Sequence, residues 1–315
     1  MPLIQVNATP QGPCLGGTSR PLVPVLCNAL RQPGPVMIMV HGFKFQPDHP
    51  TCCPHRHILS LDPRVQCRKA ISWPRALGIG QGAKDEGLGI AFGWSARGTI
   101  WQAYSQAALA GRALADLLKA IHRIDPNRPV HVLAHSLGAR VALRALGTPG
   151  LPPTAVQRVI LLSAAEFSIE ADRALNSDAG RNTEFISITS RENDLFDFLL
   201  ERLIRAPRQG DRALGFGLPP GANTLNLQLD NLQTGVALRR VGIPIGAARA
   251  RICHWSTYLQ PGVFDFYRAI LREPHVWPLI RLKGLAPDEA EPRWARLRRW
   301  EMPEMPLPMG RKASS

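Results

Sequence analysis

The feature that most restricts the fold of this chain is an alternation of short apolar runs with longer helical patterns. Strand-like runs fall at 3–6, 36–40, 88–92, 130–134, 159–162 and 185–188. Most are apolar throughout and rich in Val and Ile, as strands covered on both faces of a parallel sheet are. Between them, Ile100, Tyr104, Ala107, Gly111, Leu114, Leu118 and Ile121 recur at three- and four-residue steps and predict a helix over 100–121. The resulting β-α-β-α order predicts an α/β fold: a mostly parallel central sheet with right-handed crossovers and helices on its faces. No repeat of fixed period competes with that reading.

Two segments interrupt the alternation. Residues 44–87 are rich in Pro, Gly, Cys and His and are too long for an ordinary connection. Residues 195–250 open with an amphipathic stretch, Phe196, Leu199, Leu200, Leu203 and Ile204, and then turn irregular. Both are read as cap-like insertions in one domain over 1–286, although the stretch from Phe196 fits core and lid equally well. Residues 287–315 form a charged, Pro-rich tail, expected to be poorly ordered except where Trp294, Leu297 and Trp300 dock as a short helix.

Composition narrows the function classes. The 315 residues carry a formal charge of +14, which invites a nucleic-acid reading. However, 32 of the 38 basic residues are Arg and they are scattered, with pairs no longer than Arg239-Arg240 or Arg298-Arg299 and no known nucleic-acid motif. The longest apolar run, about 36–40, is far short of the roughly 20 residues a membrane helix needs. No basic start followed by a long apolar run is visible at the amino terminus, so a cytoplasmic location is expected. On the same expectation the six Cys are read as free thiols. Oligomeric state is not legible.

The chemistry lies in 129–146, where an apolar strand runs into Ala134-His135-Ser136-Leu137-Gly138 and a helical pattern follows at once. A tight strand-to-helix turn of this kind lifts a Ser hydroxyl above the sheet at a helix N-terminus, and small residues two before and two after it avoid a clash. With Ala134 in place of the usual first Gly, the stretch resembles the nucleophile elbow of the α/β-hydrolase superfamily, in its serine esterase and lipase-like branch. A second match is the strand 36–40 followed by His41-Gly42-Phe43, which looks like the oxyanion-hole segment. The resemblance covers roughly residues 30–275. It implies Ser136 as nucleophile, backbone N–H groups of Leu137 and Phe43 as the oxyanion hole, and an acid and then a His later in the chain.

Only His254 and His275 lie beyond Ser136. His254 precedes a helical run at 264–271, as a loop-borne catalytic His should, whereas His275 lies beyond it between prolines. Asp194, just past the strand at 185–188, is the expected acid, with Asp197 and Glu192 as rivals. His41 and His135 are read as structural neighbours of the site. Phe43, Trp94, Leu137, Phe196 and Trp255 are expected near the pocket, with Trp94, Phe196 and Trp255 as lining candidates, and favour an uncharged or acyl-chain substrate. Cys52, Cys53, His55, His57 and Cys67 combine zinc-ligand types, but no Cys-x-x-Cys pair is present and a Pro stiffens their spacing, so a cap loop is expected and no metal. The reading is a serine hydrolase of carboxylic esters working on a small-molecule ester or acyl substrate, without a cofactor. Amide, thioester or acyl-transfer chemistry on the same triad, and a catalytically silent fold that binds a partner, remain as alternatives.

Overall fold

The computed structural model describes residues 2–63 and 67–298. Its centre is one eight-stranded sheet built from β1 (Leu3–Thr9), β2 (Gly12–Leu15), β3 (Val36–Val40), β4 (Leu88–Gly93), β5 (Val130–His135), β6 (Arg158–Leu162), β7 (Glu184–Thr189) and β8 (Thr224–Gln228). The spatial order is β2-β1-β4-β3-β5-β6-β7-β8. Only the β1/β2 pairing is antiparallel; the remaining neighbours run parallel. The expected mostly parallel sheet is therefore present, and β5 sits inside it between β3 and β6.

Helices cover both faces. They are α1 (Leu22–Ala29), α2 (Trp73–Ala76), α3 (Ile100–Ile124), α4 (Leu137–Leu146), α5 (Ser168–Leu175), α6 (Asp194–Leu203), α7 (Leu232–Arg240), α8 (Ser256–Leu259), α9 (Val263–Arg272), α10 (Leu279–Lys283) and α11 (Ala295–Arg298). The period-two geometry of β3 divides the core: Val36, Ile38 and Val40 pack with α3 and α4, while Met37 and Met39 face Trp73, Phe266 and Leu271 on the other side. Each such aliphatic side chain removed from water contributes about 1.5–3 kcal/mol, so β3 is fixed in register from both faces. Helix α3 starts where Thr99 and Gln102 form a reciprocal cap, satisfying two of the N–H groups a helix leaves unpaired.

The two interruptions are less separate from this core than a cap would be. In 44–87, Ile58, Leu59, Trp73, Leu77 and Ile79 are buried in the same cluster as Met37 and Met39. In 195–250, residues Thr224–Gln228 form β8, which pairs with β7 and completes the sheet, so this stretch is not insertion alone. Helix α6 divides its apolar residues: Leu200 is buried with Phe167 and Ala213, whereas Leu199 and Leu203 stay exposed. The carboxy-terminal segment docks as far as it is described, with Arg293 paired to Glu201 and Arg296 to Glu192. Trp300 lies outside the described residues. Among those residues, no helix is long and apolar enough to cross a membrane.

Candidate active site

The carboxyl ends of β3, β5 and β7 lie close together along the sheet, and each delivers one part of the site, as open parallel sheets do at their carboxyl edge. Ser136 follows β5 at φ 55° and ψ −126°, in the left-handed half of backbone space where a residue with a side chain is strained. Its neighbours hold it there. Ser136 N–H donates to Leu162 O at 3.0 Å, and its carbonyl accepts from Ala139 N–H at 2.9 Å and Ala165 N–H at 3.1 Å.

Two glycines permit this close packing. A Cβ on Gly42 would stand 2.7 Å from Ser136 Cβ and 2.9 Å from His135 O, and one on Gly138 would stand 2.7 Å from the carbonyls of Val40 and His41. The elbow and the β3 exit thus interlock without room for a methyl group. Leu137 N–H is the first of α4 and has no partner within the helix. With Phe43 it flanks Ser136 on the wall of the same cavity, where the oxyanion hole is expected.

His41 does not titrate usefully here. Its Nδ1–H donates to Gly42 O at 2.9 Å, and Nε2 accepts from Trp94 N–H at 3.0 Å. Burial pushes its pKa down to about 3. Trp94, expected to line the pocket, is instead fully buried beneath this segment, stacked on His41 with its indole N–H donating to His41 O at 2.9 Å. It supports the β3 exit and does not line the cavity.

His254 immediately precedes the turn into α8. Ser136 Oγ–H donates to His254 Nε2 at 2.8 Å, and His254 Nδ1–H donates to Asn193 Oδ1 at 2.6 Å. His135 fixes the loop by donating from Nε2–H to His254 O at 3.0 Å, and Phe196 stacks on the imidazole at 4.6 Å between centroids. Burial, followed by the charges of His135 and Lys69, holds the His254 pKa well below 6.5. The imidazole is therefore neutral and a ready proton acceptor. His275 sits with Pro129 and His131 at the opposite end of β5.

The expected acid must be corrected. The partner of His254 Nδ1 is Asn193, the last residue of a single 3-10 turn, Arg191–Asn193, and not Asp194. Asp194 begins α6 and points away: its carboxylate accepts from Trp294 N–H at 2.6 Å and pairs with Arg191 at 3.3 Å. Glu192 is likewise committed, to Ala250 N–H at 2.9 Å and to Arg296 at 3.4 Å. Both carboxylates thus anchor segments around the site, and the amide between them faces the imidazole.

Asp197, one helical turn on, stands behind that amide and accepts from Asn193 Nδ2 at 3.0 Å. This contact decides which way the amide points, because a carboxylate takes the NH₂ and leaves Oδ1 for the His254 N–H. Burial pushes the Asp197 carboxyl up to about 7, against the opposing pull of Arg191 and Asn193. Sequence reasoning missed Asn193 because it searched for a carboxylate; its adjacency to Asp194 was the only available signal.

A cavity of about 490 Å³ opens over Ser136 and His254. Its walls include Phe43, Phe45, Leu137, Phe196, Leu200 and Trp255. The Cys/His segment is dispersed. His55 Nε2–H donates to Asn7 Oδ1 at 2.6 Å, His57 packs edge-on to Phe45, and Cys52 Sγ accepts from Arg97 at 3.1 Å. Cys53 is buried and Cys67 exposed. Among the described residues no three His, Cys, Asp or Glu side chains converge as metal ligands.

Residues 28–165 match the model of a family described as an alpha/beta hydrolase of unknown function, which carries hydrolase character in general and no substrate. Similar solved structures include lipase B of Aspergillus fumigatus, at 12% identity and a TM-score of 0.35 over 69% of this chain and 51% of that one. Another is the acylaminoacyl peptidase of Pyrococcus horikoshii, at 11% identity and a TM-score of 0.34 over 83% of this chain and 39% of that one. The chain spans about half of the first protein's length and about two fifths of the second's. No curated protein matches it.

Proposed function

Starting from a chain with the α/β-hydrolase fold, we propose that it is a serine hydrolase of carboxylic esters that works through an acyl-enzyme. The observation that carries the proposal is the 2.8 Å hydrogen bond from Ser136 Oγ to His254 Nε2 at a strained turn in the wall of an apolar cavity. In the first step Ser136 Oγ bonds to the acyl carbon while its proton passes to His254 Nε2. The carbonyl oxygen becomes an oxyanion facing Leu137 N–H and Phe43 N–H. Collapse breaks the ester C–O bond, and the alcohol leaves with the proton from His254. Water then repeats the sequence on the acyl-enzyme, returning Ser136. Asn193 holds the imidazole in the tautomer that presents Nε2 to Ser136, and Asp197 holds Asn193.

The test is labelling by a fluorophosphonate, followed by hydrolysis of p-nitrophenyl esters of graded acyl length. Ser136→Ala is expected to abolish labelling and lower kcat by about 10⁴-fold or more in a folded protein. An unlabelled wild type would favour a silent fold, and a folded Ser136→Ala protein with wild-type turnover would overturn the mechanism.

A further inference from the structure

The cavity wall carries two cations that the ester reaction above does not use. Lys44 directly follows the oxyanion residue Phe43; its backbone is pinned at φ 74° by donation from N–H to Ala96 O at 2.8 Å. Its ammonium lies 5.8 Å from the Phe43 ring centre. Lys69 comes from the other side of the 44–87 segment and sets its ammonium 3.0 Å from the centre of the Trp255 ring, beside His254. Both line the cavity. Neither forms an ion pair among the described residues, and the one carboxylate in the wall, Asp197, is committed to Asn193.

Ammonium groups resting on aromatic faces keep N–H donors free on their outer side. Lys69 is half-buried, and burial lowers its pKa against the opposing pull of Cys67 and Cys253, with Arg68 and, least of all, Lys44 adding to the lowering. The two ammonium groups are relieved by an anion between or beside them. The part of the wall given by α6 at Phe196, Leu199, Leu200 and Leu203 is apolar.

We propose that Lys44 and Lys69 bind an oxyanion group, a carboxylate or phosphate, on an amphipathic ester whose hydrocarbon part lies against the α6 wall. This names a substrate class for the site and rests on the serine-hydrolase reading. The apolar lining selects the chain and the two ammonium groups select its charged end, so a purely neutral ester leaves half of the recognition unused.

The experiment compares p-nitrophenyl hemiesters of dicarboxylic acids with p-nitrophenyl alkanoates of the same length, in wild type, Lys44→Gln, Lys69→Gln and the double variant. The readout is the ratio of kcat/KM within each matched pair. For at least one chain length the wild-type ratio is expected to favour the hemiester about five- to fiftyfold, the range of a partly buried ion pair. It should fall towards one in the double variant and shrink with added salt. A second arm measures binding of decanoate, decyl phosphate and decanol to Ser136→Ala protein by calorimetry, which separates the two anions and needs no turnover. Anion binding above that of decanol, lost in the Lys variants, supports the proposal. Neutral-ester hydrolysis with no hemiester preference at any length and no anion-selective binding overturns it, and leaves the serine hydrolase standing. Absent labelling at Ser136 together with anion-selective binding would instead retire the hydrolase reading and keep the site.

Discussion

Exchanging the residues at 193 and 197, as Asn193→Asp with Asp197→Asn, tests whether a charge held behind an amide serves the imidazole. Asn193→Asp alone is uninformative, because two carboxylates 3.0 Å apart would share a proton. In the exchanged pair, the new carboxylate at position 193 would accept from His254 Nδ1–H directly, and the new amide at position 197 would donate to that carboxylate. The charge then sits about 4 Å from the imidazolium where it formerly sat about 7 Å away. At an effective dielectric of about 20 those separations correspond to about 4 and about 2 kcal/mol of attraction. The closer charge raises the His254 pKa. The assay is the pH dependence of kcat/KM on a neutral p-nitrophenyl ester, with the rate of fluorophosphonate labelling as an independent measure. Because the base acts when deprotonated, a higher pKa moves the acid limb to higher pH, and the plateau is expected to stay within about tenfold of wild type. Asp197→Asn alone leaves the Asn193 amide without a group that only accepts, and its plateau is expected to fall about 10- to 100-fold. An unmoved acid limb in the exchanged pair, or a wild-type plateau in Asp197→Asn, would refute the reasoning.

Asn193→Ala removes the acceptor of His254 Nδ1–H and is expected to lower kcat by about 10²–10⁴-fold with little change in KM. Asp194→Ala should keep kcat within about tenfold but lower the melting temperature by a few degrees, since it releases Trp294 N–H and Arg191, a loss of about 1–2 kcal/mol. With its pKa held well below 6.5, the His254 imidazole stays neutral as pH falls through 6.5, so the first fall in wild-type kcat/KM is expected near pH 7, where the Asp197 carboxyl takes up a proton and stops being a pure acceptor for the Asn193 amide. Lys69→Gln removes one of the charges that depress the His254 pKa, so its acid limb should lie at higher pH in the same titration. Gly42→Ala would put a methyl group 2.7 Å from Ser136 Cβ, and is expected to cost about 1–3 kcal/mol in thermal unfolding and to slow fluorophosphonate labelling.

The strands whose bounds were read most closely from the sequence were those buried on both faces. In β3, β5 and β6 every residue is removed from water, so the apolar run and the strand coincide to within a residue. The two missed strands lie at the sheet's edges, where one side pairs with nothing and the pattern weakens. Strand β2 spells Gly-Pro-Cys-Leu, and β8 spells Thr-Leu-Asn-Leu-Gln with Asn226 exposed. Ser136 and His254 were legible because local backbone requirements mark them: a strand, a small-residue turn and a helix for one, a loop before a helix for the other. Trp94 was misplaced for the opposite reason. Proximity in sequence to a strand end says nothing about which way an indole turns, and this one turns under His41.

The third position of the proposed triad shows most plainly where sequence reasoning stops. Strand β7 ends at Thr189, and after Ser190 a 3-10 turn runs Arg191–Asn193; the residue facing the imidazole is the last of that turn, Asn193, while Asp194 already begins α6. Chemistry favoured the carboxylate, since it both orients an imidazole and stabilises its charged form. Those two tasks are separable. An amide whose oxygen is held outward supplies the orientation, and above pH about 7, where the Asp197 carboxyl is ionised, the charge sits one hydrogen bond further back. Direct contact between a carboxylate and the imidazolium would offset the depression of the His254 pKa by burial, His135 and Lys69; a charge at one remove offsets less of it. The base is therefore kept neutral next to the positive wall formed by Lys44 and Lys69, where an imidazolium would be most costly. On this argument the amide at 193 and the lysine at 69 belong to one electrostatic arrangement. Combining Lys69→Gln with the exchange at 193 and 197 should accordingly raise the acid limb further than either does alone, and a combined shift no larger than the exchange gives by itself would separate the two.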